Sequence, residues 1–338
     1  MQNIGLATAF ETFKRHNVDG SRYPMLMPVQ GLKRGGSGEH RDWNRVEPRE
    51  HRPDWRAFAK TITQATIEFD PQLRTLWQFM APTERPSFTP ALIEDITATL
   101  DFVEENWLAN DPESNKPEFL VLGSRVPGIF NLGGDLPRFQ RLIEARDEAA
   151  LRAYAYACVR GQYRLAVNLE LPVCTIALVQ GDALGGGFEA ALAHSIIVAE
   201  RSAKFALPEV LFNLFPGMGA YTFLARRLDM ARAERIILSG RVFEAGELAD
   251  MGVIDVVADD GAGVEAVHDV IQQYRRSRKA RQALHRVREL NKPVSREELF
   301  RIADVWVESA LSLDRADLRK MRHLAIAQDR RWSRIQAA

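Results

Sequence analysis

Two spacings of apolar residues divide the chain. Thr75–Met80, Phe119–Leu122, Val173–Val179 and Ser195–Ala199 are short, nearly unbroken apolar runs, the second bounded by Pro117 and Gly123. Runs of that length and composition read as buried strands. Between them lie stretches that read as helix, Glu148–Arg164 and Gly185–Ala193. Ser87–Ile96 opens another helix, with Thr89 as the cap and Pro90 at the first helical position. Strands alternating with helices indicate α/β layering. Past Ala258 the pattern becomes helical, in three amphipathic segments: Val264–Leu290, Arg296–Ser312 and Arg315–Arg331. No internal sequence repeat is visible.

These patterns divide the chain into an appendage at 1–66, an α/β body at 67–258 and a helical lobe at 259–338. The appendage is rich in glycine and charge over Gly31–His40 and polar over Arg41–His51. No strand precedes that glycine run and no Lys-Ser/Thr pair follows it, so it reads as a flexible linker, not a phosphate cradle. Trp43 and Trp55 imply that the arm docks on some surface, such as a neighbouring subunit.

Composition narrows the function classes. Forty-five basic and forty-five acidic residues balance, so no overall field draws the chain to nucleic acid. The strongest local basic cluster, Tyr274–Arg281 with Arg286 and Arg288, reads first as a solvated helix face. The two cysteines, Cys158 and Cys174, sit in apolar surroundings and read as reduced, buried thiols. The N-terminus lacks a basic segment followed by an apolar core, and no stretch is apolar enough to span a membrane. The expectation is a cytoplasmic protein. No histidine pair has metal-ligand spacing, so no metal is expected.

The chemistry is concentrated in Gly181-Asp-Ala-Leu-Gly-Gly-Gly-Phe-Glu189, followed by Leu207-Pro-Glu209. Three glycines in a row let peptide N–H groups approach a ligand closely. The helix that follows presents unpaired N–H donors at its start. Donors of that kind beside the carboxylates of Glu189 and Glu209 suit proton transfer next to a thioester carbonyl. Two carboxyls in a partly dry pocket repel, so one is expected to be protonated near neutral pH. Glu209 is assigned the α-proton and Glu189 the water, though the residues alone leave the reverse open. Solvated glutamates beside ordinary turns are the plain alternative.

These motifs, with Phe215-Pro-Gly-Met-Gly219 and Phe130-Asn-Leu-Gly-Gly-Asp-Leu136, resemble the crotonase (enoyl-CoA hydratase/isomerase) superfamily. Within it, Asn131–Asp135, Gly187–Ala191, Leu207–Phe212 and Phe215–Tyr221 look most like bacterial diffusible-signal-factor synthases. The resemblance runs from about Ile67 to the C-terminus. It implies an α/β spiral of ββα units with a C-terminal helical lobe that packs a homotrimer or hexamer. It implies oxyanion donors at Leu132 N–H and Gly186 N–H, with Gly133, Gly134, Gly185, Phe188 and Trp306 near the substrate. An ordinary core tryptophan is the alternative for Trp306, and the core is likewise the alternative place for Phe188. Asp135 is expected to cap the following helix.

The implied activity is dehydration of a 3-hydroxyacyl thioester on acyl carrier protein. A thioesterase step would then release a cis-2-unsaturated fatty acid as a quorum-sensing signal. No cofactor is implied, because the acyl carrier protein or CoA thioester is the substrate. An ordinary enoyl-CoA hydratase or isomerase, and a catalytically silent crotonase-fold scaffold, are the rival readings. The basic cluster would be a landing place for a phosphopantetheine phosphate or an acidic carrier, and the N-terminal arm for a regulatory protein partner.

Overall fold

The computed structural model describes residues 54–108 and 116–337. The 1–66 extension therefore lies outside the described residues up to position 53, Trp43 included. Its last part is helix α1 (Trp55–Ala59), capped by Asp54, whose carboxylate accepts from Arg56 N–H at 2.9 Å. Trp55 packs on its own chain, stacked on Phe69 at 5.1 Å and edge-on to Phe102 at 4.8 Å.

Among the described residues, one sheet has six strands in the order β1-β2-β3-β5-β7-β10. These are Ala65–Asp70, Thr75–Met80, Phe119–Ser124, Cys174–Val179, Ile196–Glu200 and Val256–Ala258. From β2 onward all neighbours run parallel; β1 is antiparallel to β2. The apolar runs are continuous because both faces are covered, yet alternate residues still face opposite ways. Leu120, Leu122, Ala177 and Val179 join the main core, shared with helices. Phe119, Val121, Ile176 and Leu178 join a second core under Val267, Val270 and Ile271. Each fully buried leucine or isoleucine contributes about 1.5–3 kcal/mol.

A second sheet has four short strands, β4 (Gly128–Asn131), β6 (Gly181–Leu184), β8 (Lys204–Ala206) and β9 (Val242–Glu244). The first three are parallel; β9 closes the edge antiparallel to β8. The chain thus lays β3, β5 and β7 into the large sheet and β4, β6 and β8, each directly after, into the small one. That alternation is the expected spiral of ββα units. Gly181 is required where β6 meets β4, because a Cβ there would stand 2.1 Å from the Gly128 carbonyl carbon.

Helix α2 (Pro90–Leu108) begins as read, with Thr89 Oγ1 accepting from Leu92 N–H at 3.3 Å. Helices α3 (Leu136–Glu144) and α4 (Glu148–Ala166) follow β4 and are capped by Asp135 and Asp147. Helix α5 (Gly186–Leu192) follows β6. Helices α6 (Ala220–Arg227), α7 (Met230–Ser239) and α8 (Ala245–Asp250) complete the body.

The segment read as one helix over Val264–Leu290 is two, α9 (Gly263–Arg276) and α10 (Arg278–Asn291). Ser277, at φ −121° and ψ 21°, breaks it, its hydroxyl donating to Gln273 O while accepting from Arg281 Nε. Helices α11 (Arg296–Leu311) and α12 (Arg315–Gln336) end the described chain and insert Leu299, Trp306 and Met321 into the main core. Among the described residues no helix is long and apolar enough to cross a membrane.

Candidate active site

Three neighbouring parallel strands deliver the three motifs. β4 ends at Asn131 and leads into Leu132–Asp135, β6 ends at Leu184 and leads into Gly185–Glu189, and β8 ends at Ala206 and leads into Leu207–Glu209. Segments far apart in sequence are side by side because the small sheet holds them so. Ligands of parallel sheets bind in this place, beyond the carboxyl ends of the strands.

Glycine is needed where these loops touch. Gly133 has φ +96°, and a Cβ on it would stand 2.7 Å from Leu184 O and 3.0 Å from Gly186 N. Gly185 has φ +51°, and a Cβ there would meet Glu209 Oε1 at 2.6 Å. Both positions have a left-handed backbone that disfavours a side chain; at Gly133 neighbouring backbone also fills the space, while at Gly185 only the end of the Glu209 side chain stands in it. Neither carries a group toward a ligand, so their part is to admit the neighbouring loop.

The oxyanion expectation needs correcting at one donor. Leu132 N–H donates to Pro86 O at 2.7 Å, and the leucine side chain packs with Val126 and Ile129. That N–H is already taken. Gly133 N–H is taken as well, donating to Asn131 Oδ1 at 2.8 Å. Gly134 is different: it lines the cavity opposite Gly186, and its N stands 3.4 Å from where a Gly186 Cβ would be. Gly186 opens α5, where helix geometry provides its N–H with no intrahelical acceptor. Among the described residues neither N–H donates to a backbone carbonyl.

The two glutamates meet in the wall of the same cavity. Glu189 is 2% exposed, and its Oε1 accepts from Met218 N–H at 2.8 Å and Ala220 N–H at 3.1 Å. Burial pushes its carboxyl up to about 7, against the pull of those two donors. Glu209 sits on a short 3-10 turn, Pro208–Phe212, half-buried as a residue but with its Oε2 enclosed and unpartnered. Burial first, then the Glu189 charge, pushes Glu209 up to about 8. The pair therefore holds one proton near neutral pH. The donors on Glu189 favour the charge there and the proton on Glu209.

The cavity is walled mainly by apolar side chains. Trp306 is part of that wall, 2% exposed and edge-on to Phe139 at 5.1 Å. Phe188 is not. It is fully buried on the other side of α5, 5.1 Å from the Phe205 ring. Successive helical residues point about 100° apart, so the helix that turns Glu189 inward turns Phe188 into the core. Cys158 lines the cavity too, and burial pushes its thiol up to about 12, which keeps it neutral and weakly reactive.

Several contributors escape a linear reading. Helix α12 braces the first loop: Gln328 Nε2 donates to Leu132 O at 2.9 Å, and Arg331 pairs with Asp182. Arg85 lies between Asp329 at 3.5 Å and Asp135 at 4.0 Å. Gln162 also lines the cavity, one amide in the stripe Tyr154, Cys158, Leu165 of α4. Helical spacing could have flagged that amide; nothing local flags Gln328. The basic cluster is partly neutralised within the chain, since Arg74, Arg275 and Arg278 converge on the buried carboxylate of Glu118.

The enoyl-CoA hydratase/isomerase family pattern matches residues 76–304, more than half of the chain. Mitochondrial methylglutaconyl-CoA hydratase of Rattus norvegicus is 35% identical over 155 residues, which is 45% of this chain and 46% of that protein. The chain thus spans about half the length of this curated relative. Among solved structures, enoyl-CoA hydratase from Bacillus halodurans superposes with a TM-score of 0.63 at 20% identity, covering 77% of this chain and all 100% of that one. Pseudomonas aeruginosa DspI gives 0.52 at 22% identity, covering 71% and 84%. At such identities the superpositions speak for the fold, while the sequence pattern speaks for the lineage: the chain belongs to the enoyl-CoA hydratase/isomerase family.

Proposed function

We propose that the chain removes water from a 3-hydroxyacyl thioester carried on acyl carrier protein, then hydrolyses the product to a free cis-2-unsaturated fatty acid signal. The observation that carries the elimination is the pair Glu189 and Glu209 in one apolar cavity with Gly134 and Gly186. Glu209 takes the proton from C2, and the electron pair moves onto the thioester oxygen. The N–H groups of Gly134 and Gly186 hold that oxygen, each worth about 3–4 kcal/mol at the transition state. The charge returns to form the C2–C3 double bond as the C3–O bond breaks. The departing hydroxyl takes the proton of Glu189 and leaves as water.

Elimination begins with the proton on Glu189 and ends with it on Glu209. The favoured resting state, proton on Glu209, is the starting point for adding water, so elimination first needs the proton to move to Glu189. One singly protonated pair serves both directions. In the hydrolytic step a water oxygen adds to the thioester carbonyl, the C–S bond breaks, and the thiol leaves carrying a proton. The same donors and carboxyls are in reach of that chemistry. The carrier protein and the cis product rest on the motif resemblance to signal synthases.

A second reading, hydration of a CoA thioester, is favoured by the name of the rat relative, a methylglutaconyl-CoA hydratase. Mass spectrometry after mixing the protein with 3-hydroxydodecanoyl-acyl carrier protein separates the two. Free 2-unsaturated acid, absent with Glu189→Ala and Glu209→Ala, is the expected result. Unsaturated thioester without free acid removes the hydrolytic step. No turnover there, with hydration of a short enoyl-CoA, hands the site to the second reading.

A further inference from the structure

The cavity contains a polar group for which neither the fold nor the proposed elimination accounts. Gln162 is 7% exposed, projects from the middle of α4 into the apolar wall, and its Oε1 is enclosed without a hydrogen-bond partner. An amide in such a place destabilises the fold relative to an apolar side chain of similar size. Its stripe-mates Tyr154, Cys158 and Leu165 show what a wall residue ordinarily looks like here.

The position of the amide is specific. Gly219 packs against it, a Cβ on that glycine falling 2.9 Å from Gln162 Oε1. Gly219 lies between Met218 and Ala220, whose N–H groups hold Glu189 Oε1. Gln162 therefore sits behind the turn that fixes the water-handling carboxyl. The cavity has a second enclosed, unpartnered oxygen, Glu209 Oε2, so the same cavity is lined by two unmet polar groups.

We infer that Gln162 is a substrate-contacting residue whose amide holds the C3 oxygen of the acyl chain, as hydroxyl before elimination and as water after it. An amide offers both a donor and an acceptor, so it can follow that oxygen through both states. This inference rests on the proposed elimination and adds to it a device for distinguishing hydroxylated from plain acyl chains. A site built to hydrogen-bond a hydroxyl rejects a chain that lacks it, because the buried amide is then left unmet.

The test uses the full chain with Gln162→Leu and, as a closer match in length, Gln162→Met. Two probes differ by one hydroxyl: 3-hydroxydodecanoyl-pantetheine as substrate and dodecanoyl-pantetheine as competitive inhibitor. Both variants are expected to melt about 1–3 °C higher than the parent. Their kcat/KM for elimination should fall about tenfold, while the plain chain inhibits as well as before or better, since no unmet amide opposes it. A lower melting temperature, or an equal loss for both probes, would make Gln162 a packing residue and overturn the inference. Unchanged elimination in Gln162→Met does the same while leaving the proposed function standing. A parent protein that eliminates no water overturns both.

Discussion

The two sheets are built from the same chain turns but do different work. The large sheet has six-residue strands across its middle, buried on both faces, and its residues pair into two cores. The small sheet has strands of three or four residues, and the loops at its carboxyl ends carry the glycines and carboxyls of the site. One sheet supplies the burial that holds the fold; the other tolerates left-handed glycines and two buried acids at its rim. The site can be strained and electrostatically unfavourable because the stability comes from elsewhere.

Substitutions can break that division. The largest effect is expected from Glu209→Gln, which should lower kcat by about 10²–10⁴ and leave the fold intact. Both carboxyls are raised from 4.5, so the folded chain binds more protons than the unfolded one. The contribution of the pair to stability is therefore present at low pH and lost as pH rises from about 4.5 through about 8. Glu209→Gln should flatten that decline in thermal melts recorded from pH 5 to 9. Activity of the parent, which needs one proton on the pair, should peak between about 7 and about 8 and fall on either side. A profile flat from pH 5 to 9 would remove the shared-proton mechanism.

Leu178→Ala, in the large sheet, should show the opposite signature. Leu178 is fully buried, so chemical denaturation should reveal a loss of about 2–5 kcal/mol with turnover per folded molecule retained. If turnover falls as steeply as for Glu209→Gln, the two sheets are not separable in this way. Gly133→Ala lies between these cases, forcing a Cβ to 2.7 Å from Leu184 O at φ +96°. It should lose about 1–3 kcal/mol of stability together with most of the activity, read by melting and kinetics on the same sample. The smallest effect is expected from Gln328→Ala, which frees Leu132 O from α12. A drop of a fewfold in kcat with KM unchanged, corresponding to about 1 kcal/mol, would mark it as a positioning residue for the loop of Gly134.

The same contrast explains what the sequence discloses. Thr75–Met80 matches β2 residue for residue because a fully buried strand writes its burial into composition. Lys204–Ala206 leaves no such mark, since three residues show no period and its pairing partners lie far along the chain. The motifs identify which loops meet. They do not tell which peptide N–H is left unengaged, because that is decided by Pro86 reaching Leu132 from another part of the chain. Phe188 illustrates a different limit: the sequence leaves it between the acyl pocket and the core, and only the helix geometry, which turns it away from Glu189, decides for the core. The break at Ser277 depends on a hydroxyl bonding within its own helix, which amphipathic spacing does not register.

Gly134 and Gly186 follow neighbouring parallel strands, β4 and β6. Neighbouring strands lie ~4.8 Å apart, and an N–H donor sits ~2.9 Å from the oxygen it binds. Two donors at the strand spacing and one oxygen at that distance from each enclose an angle of roughly 110°, about what two lone pairs on a single oxygen present. If Gly134 and Gly186 keep that spacing beyond the strand ends, the sheet's own repeat distance is a ruler for the one-atom anion of the proposed mechanism. A fold that stops two adjacent strands nearly level, and turns the next free N–H of each outward, has the dimensions of an oxyanion hole before any side chain is chosen.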